Sequence, residues 1–177
     1  MGTAPVRPTQ DIIDLAFADL WNAIRDSQLS ILYHRERAEH FERQQTRLEI
    51  LSVLLAVIAG GGLIEFPEFR GSTWALLAFC SAIVGQLPYV LRLMNRKIEH
   101  QRLGNDWGSV MVDLQRVLNN ARSTNSLTAE THNQLLLCLE KYNFVSQRDT
   151  IDYDLPSVRA IQKTVALMYP PSEDWKP

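Results

Sequence analysis

Residues 71–91, GSTWALLAFCSAIVGQLPYVL, run 21 positions without a charge. At about 1.5 Å of rise per helical residue, such a stretch covers a hydrocarbon core of about 30 Å. Just upstream lies a second apolar block, Ile50–Ile64 (ILSVLLAVIAGGGLI), and only Glu65-Phe66-Pro67-Glu68-Phe69-Arg70 separates the two. Two apolar segments joined by a short Pro-containing turn predict a transmembrane helical hairpin over 48–91, with its turn at 65–70.

The flanks agree with that reading. Phe66, Phe69 and Trp74 cluster at the turn and Tyr89 sits at the opposite end, as interfacial aromatic belts do. Arg43 and Arg47 precede the first block, and Arg92, Arg96 and Lys97 follow the second, whereas the turn carries two Glu and one Arg. By the positive-inside rule both termini face the cytoplasm of a bacterial inner membrane. The alternative is a soluble bundle with a very apolar central helix pair. A mean hydropathy of −0.14 and the 15 uncharged residues of the first block point that way. Extending that block to 48–66 requires Glu49 and Glu65 to sit at the two interfaces.

Outside the hairpin the pattern is helical. Ile13, Phe17, Leu20, Ile24 and Ile31 recur at helix spacing, with Trp21 and Leu32 at the edge of the stripe. Gly and Pro are absent from 11 to 59, so one unbroken helix, or two without a true loop, runs from the amphipathic segment 11–47 into the first span. Thr9 and Asp11 offer capping oxygens at its start. After the second span the helix is expected to reach Leu103 and break at Gly104-Asn105. Trp107, Val110, Met111, Leu114 and Leu118 form the next stripe. Ser123–Ser126 reads as a turn, and Ser126 or Thr128 caps a helix over 128–148 that buries Leu135, Leu136, Leu139, Tyr142 and Val145. Asp152–Ser157 opens a last helix with Val158, Ile161, Val165 and Met168 inward. The fold class is therefore all-α: a two-helix hairpin with long cytoplasmic helical extensions, a tail at 1–10, a helical region at 92–168 and a second tail at 169–177. The extensions before and after the hairpin are each too small for a comfortable core. They are expected to pack together, or against neighbouring copies.

The sequence offers little for catalysis. It holds no nucleophile elbow, HExxH, CxxC, P-loop or dinucleotide fingerprint, its four histidines are scattered, and Asp152 and Asp154 are explained by capping. Neither an enzyme nor a cofactor is expected. Cys80 and Cys138 are too differently placed to suggest a disulfide. A net charge of −2 and a pI near 6.1 argue against sequence-specific nucleic-acid binding. Packing residues are plainer. Ser52, Ala56 and Gly60 recur every fourth position in the first span. Ala78 and Ala82, then Ser81 and Gly85, do so in the second. Small residues at this spacing let helices approach closely, within one chain or between copies. Gln86 is the most polar residue of the spans, and Pro88 frees a carbonyl and offers a hinge. Two spans cannot enclose a water path, so a pore requires a homo-oligomer. The juxtamembrane basic residues follow from topology alone. A sharper alternative is that Arg35, Arg37, Arg43, Arg47, Arg96 and Arg102 form a collar for an anion, suited to phosphate by the planar guanidinium, with Glu36, Glu39, Glu42 and Glu99 as internal partners.

The run Tyr33-His34-Arg35-x-Arg37-Ala38-x-x-Phe41-x-Arg43-x-x-x-Arg47-Leu48, followed by two spans and then Leu103-x-x-x-Trp107, resembles the SLATT domain. These are two-transmembrane domains of prokaryotic conflict systems, found beside nucleotidyltransferases that make second messengers. The resemblance covers roughly 15–145. It implies an effector that perturbs the inner membrane when infection is sensed, opening pores on binding a nucleotide or on release by a partner. It defines no ligand residue. It also implies that the signal-generating nucleotidyltransferase is a separate polypeptide. Two other classes fit the same residues: a holin-like autonomous pore former, and a non-conducting membrane scaffold that recruits soluble partners through its later helices.

Overall fold

A computed structural model of the protein describes residues 10–65, 72–124, 128–150 and 153–170, with side chains over 17–60, 75–123, 128–150 and 153–170. All regular structure among them is helical: α1 (Gln10–Glu65), α2 (Ser72–Val90), α3 (Leu93–Thr124), α4 (Ala129–Arg148) and α5 (Leu155–Met168). α1 holds 56 residues, about 84 Å at the usual rise. It is the single unbroken helix expected from the lack of Gly and Pro before residue 60. The turn after Glu65 and its aromatics Phe66 and Phe69, the capping Thr9, and Ser126 and Asp152 all lie outside the described residues. So do the side chains of Asp11, Ile13 and Trp74.

The chain divides into two compact units. One takes residues up to His34 and from Arg102 onward; the other is Arg35–Gln101. The first unit has an ordinary apolar core. Leu20, Trp21 and Ile24 of α1 meet Val110, Met111 and Leu114 of α3, and α4 adds Leu135 and Val145. Each such side chain, fully buried, contributes about 1.5–3 kcal/mol. A smaller cluster sets Tyr33 against Ile161 and Val165 of α5. The N-terminal stripe and the C-terminal helices thus pack together, and Trp21 Nε1 donates to the Pro170 carbonyl at 2.7 Å, tying down the chain after α5. Thr128 caps α4 by accepting from the Thr131 amide at 3.2 Å.

Three expectations are corrected here. α3 passes through Gly104-Asn105 without a break. A helical glycine costs about 1 kcal/mol against alanine, and burial of Trp107, Val110, Met111 and Leu114 along α3 offsets it. The break falls instead at Leu91-Arg92, where Arg92 adopts a left-handed φ of 51°. Pro88 sits inside α2 without ending it, since the Leu91 amide still donates to the Leu87 carbonyl at 2.8 Å. The last turn tightens, with the Arg92 amide donating to the Tyr89 carbonyl at 3.0 Å. Finally, Leu136 and Met168 are 52% and 57% exposed, because the α4 and α5 stripes turn only Leu135, Val145, Ile161 and Val165 fully inward.

In the second unit, Arg35–Gln101, the C-terminal part of α1 packs along α2 and the start of α3. Among the described residues one helical stretch, beginning at Ala75, is long and apolar enough to cross a membrane, and 11% of its most apolar window is buried.

Candidate functional site

The second unit is organised around small and polar side chains. On α1, Ala38, Phe41, Gln45, Leu48, Ser52, Leu55 and Ala59 are buried or half-buried, and their spacing alternates between three and four. That is the 3.5-residue period of a coiled-coil seam. On α2, Leu77, Ser81, Val84 and Pro88 continue it from the other side. At the centre Ser52 Oγ donates to the Ser81 carbonyl at 3.1 Å, and Ser81 Oγ donates to the Ser52 carbonyl at 2.9 Å. Gly85 lets the helices meet: a β-carbon there would lie 2.9 Å from Ser52 Oγ.

The structure therefore brings together Ser52, Ser81 and Gly85, and half-buries Pro88 on the same face. Ala56, Gly60, Ala78 and Gln86 lie on exposed faces. The reason is angular. A strict four-residue step drifts about 40° around the helix each time, whereas a seven-residue step drifts only about 20° the other way. Ser52 is thus followed on the seam by Ala59 rather than by Ala56 and Gly60.

Around this seam the outward faces are apolar. Ile50, Val53, Leu54, Val57 and Ile58 of α1 are each at least half exposed, as are Leu76, Phe79 and Val90 of α2. Val57 is 66% exposed and Phe79 62%. Bulk faces out and hydroxyls face in.

The basic residues sort into groups. Arg35 and Arg43 both pair with Glu39, at 3.4 and 3.1 Å, and Lys97 pairs with Glu42 at 3.0 Å. Arg37 and Arg96 instead both lie over the ring of Phe41, 5.4 and 5.9 Å from its centre. His100 is buried and stacks on the same ring at 5.5 Å. Arg47 is exposed, and so is Arg102, which belongs to the first unit.

The first unit contains a polar cluster that sequence reasoning missed. Asp149, just past the end of α4, has a side chain only 2% exposed. Its Oδ2 accepts from the Trp107 indole at 2.9 Å and from the Tyr153 hydroxyl, and lies 2.9 Å from His34 Nε2. Oδ1 has no partner. Beside it, the Tyr33 hydroxyl accepts from the Asp154 amide at 3.1 Å. Burial pushes the Asp149 carboxyl up, but the donors from His34, Tyr153 and Trp107 and the charge of His34 outweigh it, and the pKa lies below the usual carboxylate value. One carboxylate thus ties α1, α3 and the α4–α5 connection at a single point. Asp149 is one of three acids within six residues after a helix end, with Asp152 and Asp154, so nothing local in the sequence singles it out. Two of its partners, His34 and Trp107, belong to the run that resembles the SLATT domain, and with Tyr33, Ala38, Phe41 and Leu103 of that run they are buried.

No family model matches the chain, and no curated protein or solved structure matches it.

Proposed function

We propose that the protein is a SLATT-like effector of bacterial antiphage defence. Residues 48–91 form a transmembrane hairpin in the inner membrane, with both termini cytoplasmic, and several copies assemble into a pore. The observation that carries this reading is the inverted second unit, with Val57, Phe79 and their neighbours outward and Ser52 and Ser81 inward. In water such a face would be a large exposed apolar patch; in lipid it is the face that belongs there. The reciprocal serine bonds satisfy hydroxyls that hydrocarbon would leave unpaired.

Self-association is supported by Gln86. Its amide lies on an exposed face of a span, where it needs a partner helix or water. In this reading a nucleotide second messenger, or a partner nucleotidyltransferase, binds the cytoplasmic arginines and favours the open assembly. Only a difference in affinity between closed and open states drives such a shift. Opening depolarises the membrane and arrests or kills the cell. A non-conducting scaffold is the second reading, favoured by the outward Leu136, Leu137 and Phe144 of α4, a face fit for a protein partner.

The test is membrane potential in cells expressing the chain alone and with its neighbouring genes. Depolarisation that requires a second gene or infection supports the gated pore; depolarisation by the chain alone marks a holin-like pore. None under any condition leaves the scaffold. Exchanging Arg43, Arg47, Arg96 and Arg102 for Gln should weaken activation while leaving the protein in the membrane fraction. Full activity in that variant would remove the basic residues from the signal path.

A further inference from the structure

We infer that Arg37 and Arg96, set against Phe41, hold a phosphate group of a soluble ligand. This deepens the function proposed above and rests on its membrane placement. The argument begins with charge. The guanidiniums of Arg37 on α1 and Arg96 on α3 converge on one ring, and neither is ion-paired among the described residues. The nearby carboxylates are engaged or turned away: Glu39 is shared by Arg35 and Arg43, Glu42 is held by Lys97, and Glu36 and Glu99 are exposed. Arg37 Nε is buried and has no acceptor. A buried donor without an acceptor among the described residues costs free energy, and two cations gathered at one ring without a paired carboxylate favour an anion. An anion lying across both meets each demand.

The ring fixes the geometry. Phe41 is buried, with the His100 imidazole stacked on it, so the aromatic group is a backing wall and leaves no open face for a nucleobase. The forked, planar guanidinium matches phosphate oxygens with two parallel hydrogen bonds. What this place recognises is therefore the phosphate rather than the base. A phosphate bound here would link α1 to α3, on the side of the hairpin where the basic residues gather.

Position along α1 separates a soluble phosphate from a lipid one. Phe41 lies nine residues before Ile50, the first residue of the apolar block, or about 14 Å along the helix. The polar layer on each side of the hydrocarbon is only about 5–8 Å thick. Arg37 lies a further turn away. Both guanidiniums lie over the Phe41 ring and are thus at a level beyond the headgroups, although the Arg96 backbone, five residues past Leu91, is only about 7.5 Å from the second block, at the outer edge of that layer.

The test uses the full chain in nanodiscs of zwitterionic phosphatidylcholine, titrated with inorganic pyrophosphate at constant ionic strength and followed by thermal unfolding. The expected result is saturable stabilisation. Arg96→Gln should raise the half-saturating concentration about tenfold or more, the scale of one charge-assisted contact. Arg37→Lys, which keeps the charge but loses Nε, should do likewise. Arg43→Gln, already paired with Glu39, should change it less than about twofold. Arg96 is exposed, so its variant keeps the fold even if Arg37→Lys does not.

The soluble ligand is overturned if phosphatidylglycerol nanodiscs alone stabilise the protein, pyrophosphate adds nothing, and Arg96→Gln abolishes the lipid effect. The site itself is overturned if pyrophosphate has no saturable effect, or if Arg43→Gln weakens it as much as Arg96→Gln. Failure of the pore reading looks different: pyrophosphate binds as expected but no current or depolarisation follows. Failure of the membrane reading appears earlier, as protein that does not enter nanodiscs at all.

Discussion

Around Leu20, Ile24, Val110 and Leu114 the protein hides its bulky apolar side chains, and along 50–58 and 76–91 it turns them outward and hides Ser81 and Ala59. The helices differ little in kind; on the proposed membrane placement, the solvent each unit meets differs. In the first unit, removal of apolar surface from water drives packing. In the second that force has no purchase if the surroundings are lipid. Close approach at Gly85 and the paired serine hydroxyls then hold the helices together.

A charge placed on each outward face gives the largest contrast. In the double variant Val57→Arg/Ile83→Arg, each arginine should cost about 2.5–3.5 kcal/mol of insertion if those faces meet lipid. The protein should then fail to fractionate with membranes. On a water-exposed surface the same changes are worth within about 0.5 kcal/mol, and unchanged fractionation would reverse the reading of the second unit.

Next is the Asp149 fastening of the first unit. Asp149→Ala removes the shared acceptor of His34, Trp107 and Tyr153 and should destabilise the protein by about 3–5 kcal/mol. Thermal unfolding checks it, and a loss below 1 kcal/mol would make the cluster incidental. Because the folded-state pKa of Asp149 lies below its unfolded value, its contribution is fully present above about pH 4. It is lost as pH falls through the folded pKa. The stability gap between wild type and Asp149→Asn should therefore be wide at pH 6 and narrow toward pH 3.

A matched pair of truncations probes the comparison directly. Leu114→Ala opens a cavity at a fully buried position and should cost about 2–5 kcal/mol. Leu54→Ala, on an outward face, should leave unfolding within about 0.5 kcal/mol of wild type. Equal losses would mean that the outward face of α1 is covered by protein.

Much of this architecture was legible from spacing. The 3.6-residue stripes at Leu20–Ile24 and Trp107–Leu118 and the absence of breakers before residue 60 mark α1 and α3. What the sequence hid depends on tertiary neighbours. Gly104 reads as a helix stop, but the core packing of α3 on either side carries the helix through it. Pro88 reads as a hinge within a span, while the break lies at Leu91-Arg92, where no Gly or Pro marks it. The basic flank is legible as composition, yet its division into Glu39-paired and Phe41-facing members depends on which helix returns beside which. Asp149 is hard to single out locally, because two of its three side-chain partners, His34 and Trp107, are brought to it by packing and only Tyr153 is near in sequence.

The smallest effect tests the seam itself. Gly60 and Gly85 both lie in helices of the second unit, but a β-carbon at Gly60 meets nothing within 4 Å, while one at Gly85 meets Ser52 Oγ at 2.9 Å. Gly60→Ala should therefore be neutral or stabilise by up to about 1 kcal/mol through helix propensity. Gly85→Ala gains the same propensity but must rotate the Ser52 hydroxyl away, breaking its bond to the Ser81 carbonyl, at a cost of about 1 kcal/mol. The two terms nearly cancel, so the single variant is a poor witness and a double-mutant cycle is needed. With Ser52→Ala already in place the contact is gone, and Gly85→Ala should become stabilising. A coupling of about 1 kcal/mol between the two sites, read from reversible unfolding in bilayers, is the expected outcome. Additivity would mean that α1 and α2 do not meet at Gly85, and the inverted packing of the second unit would lose its centre.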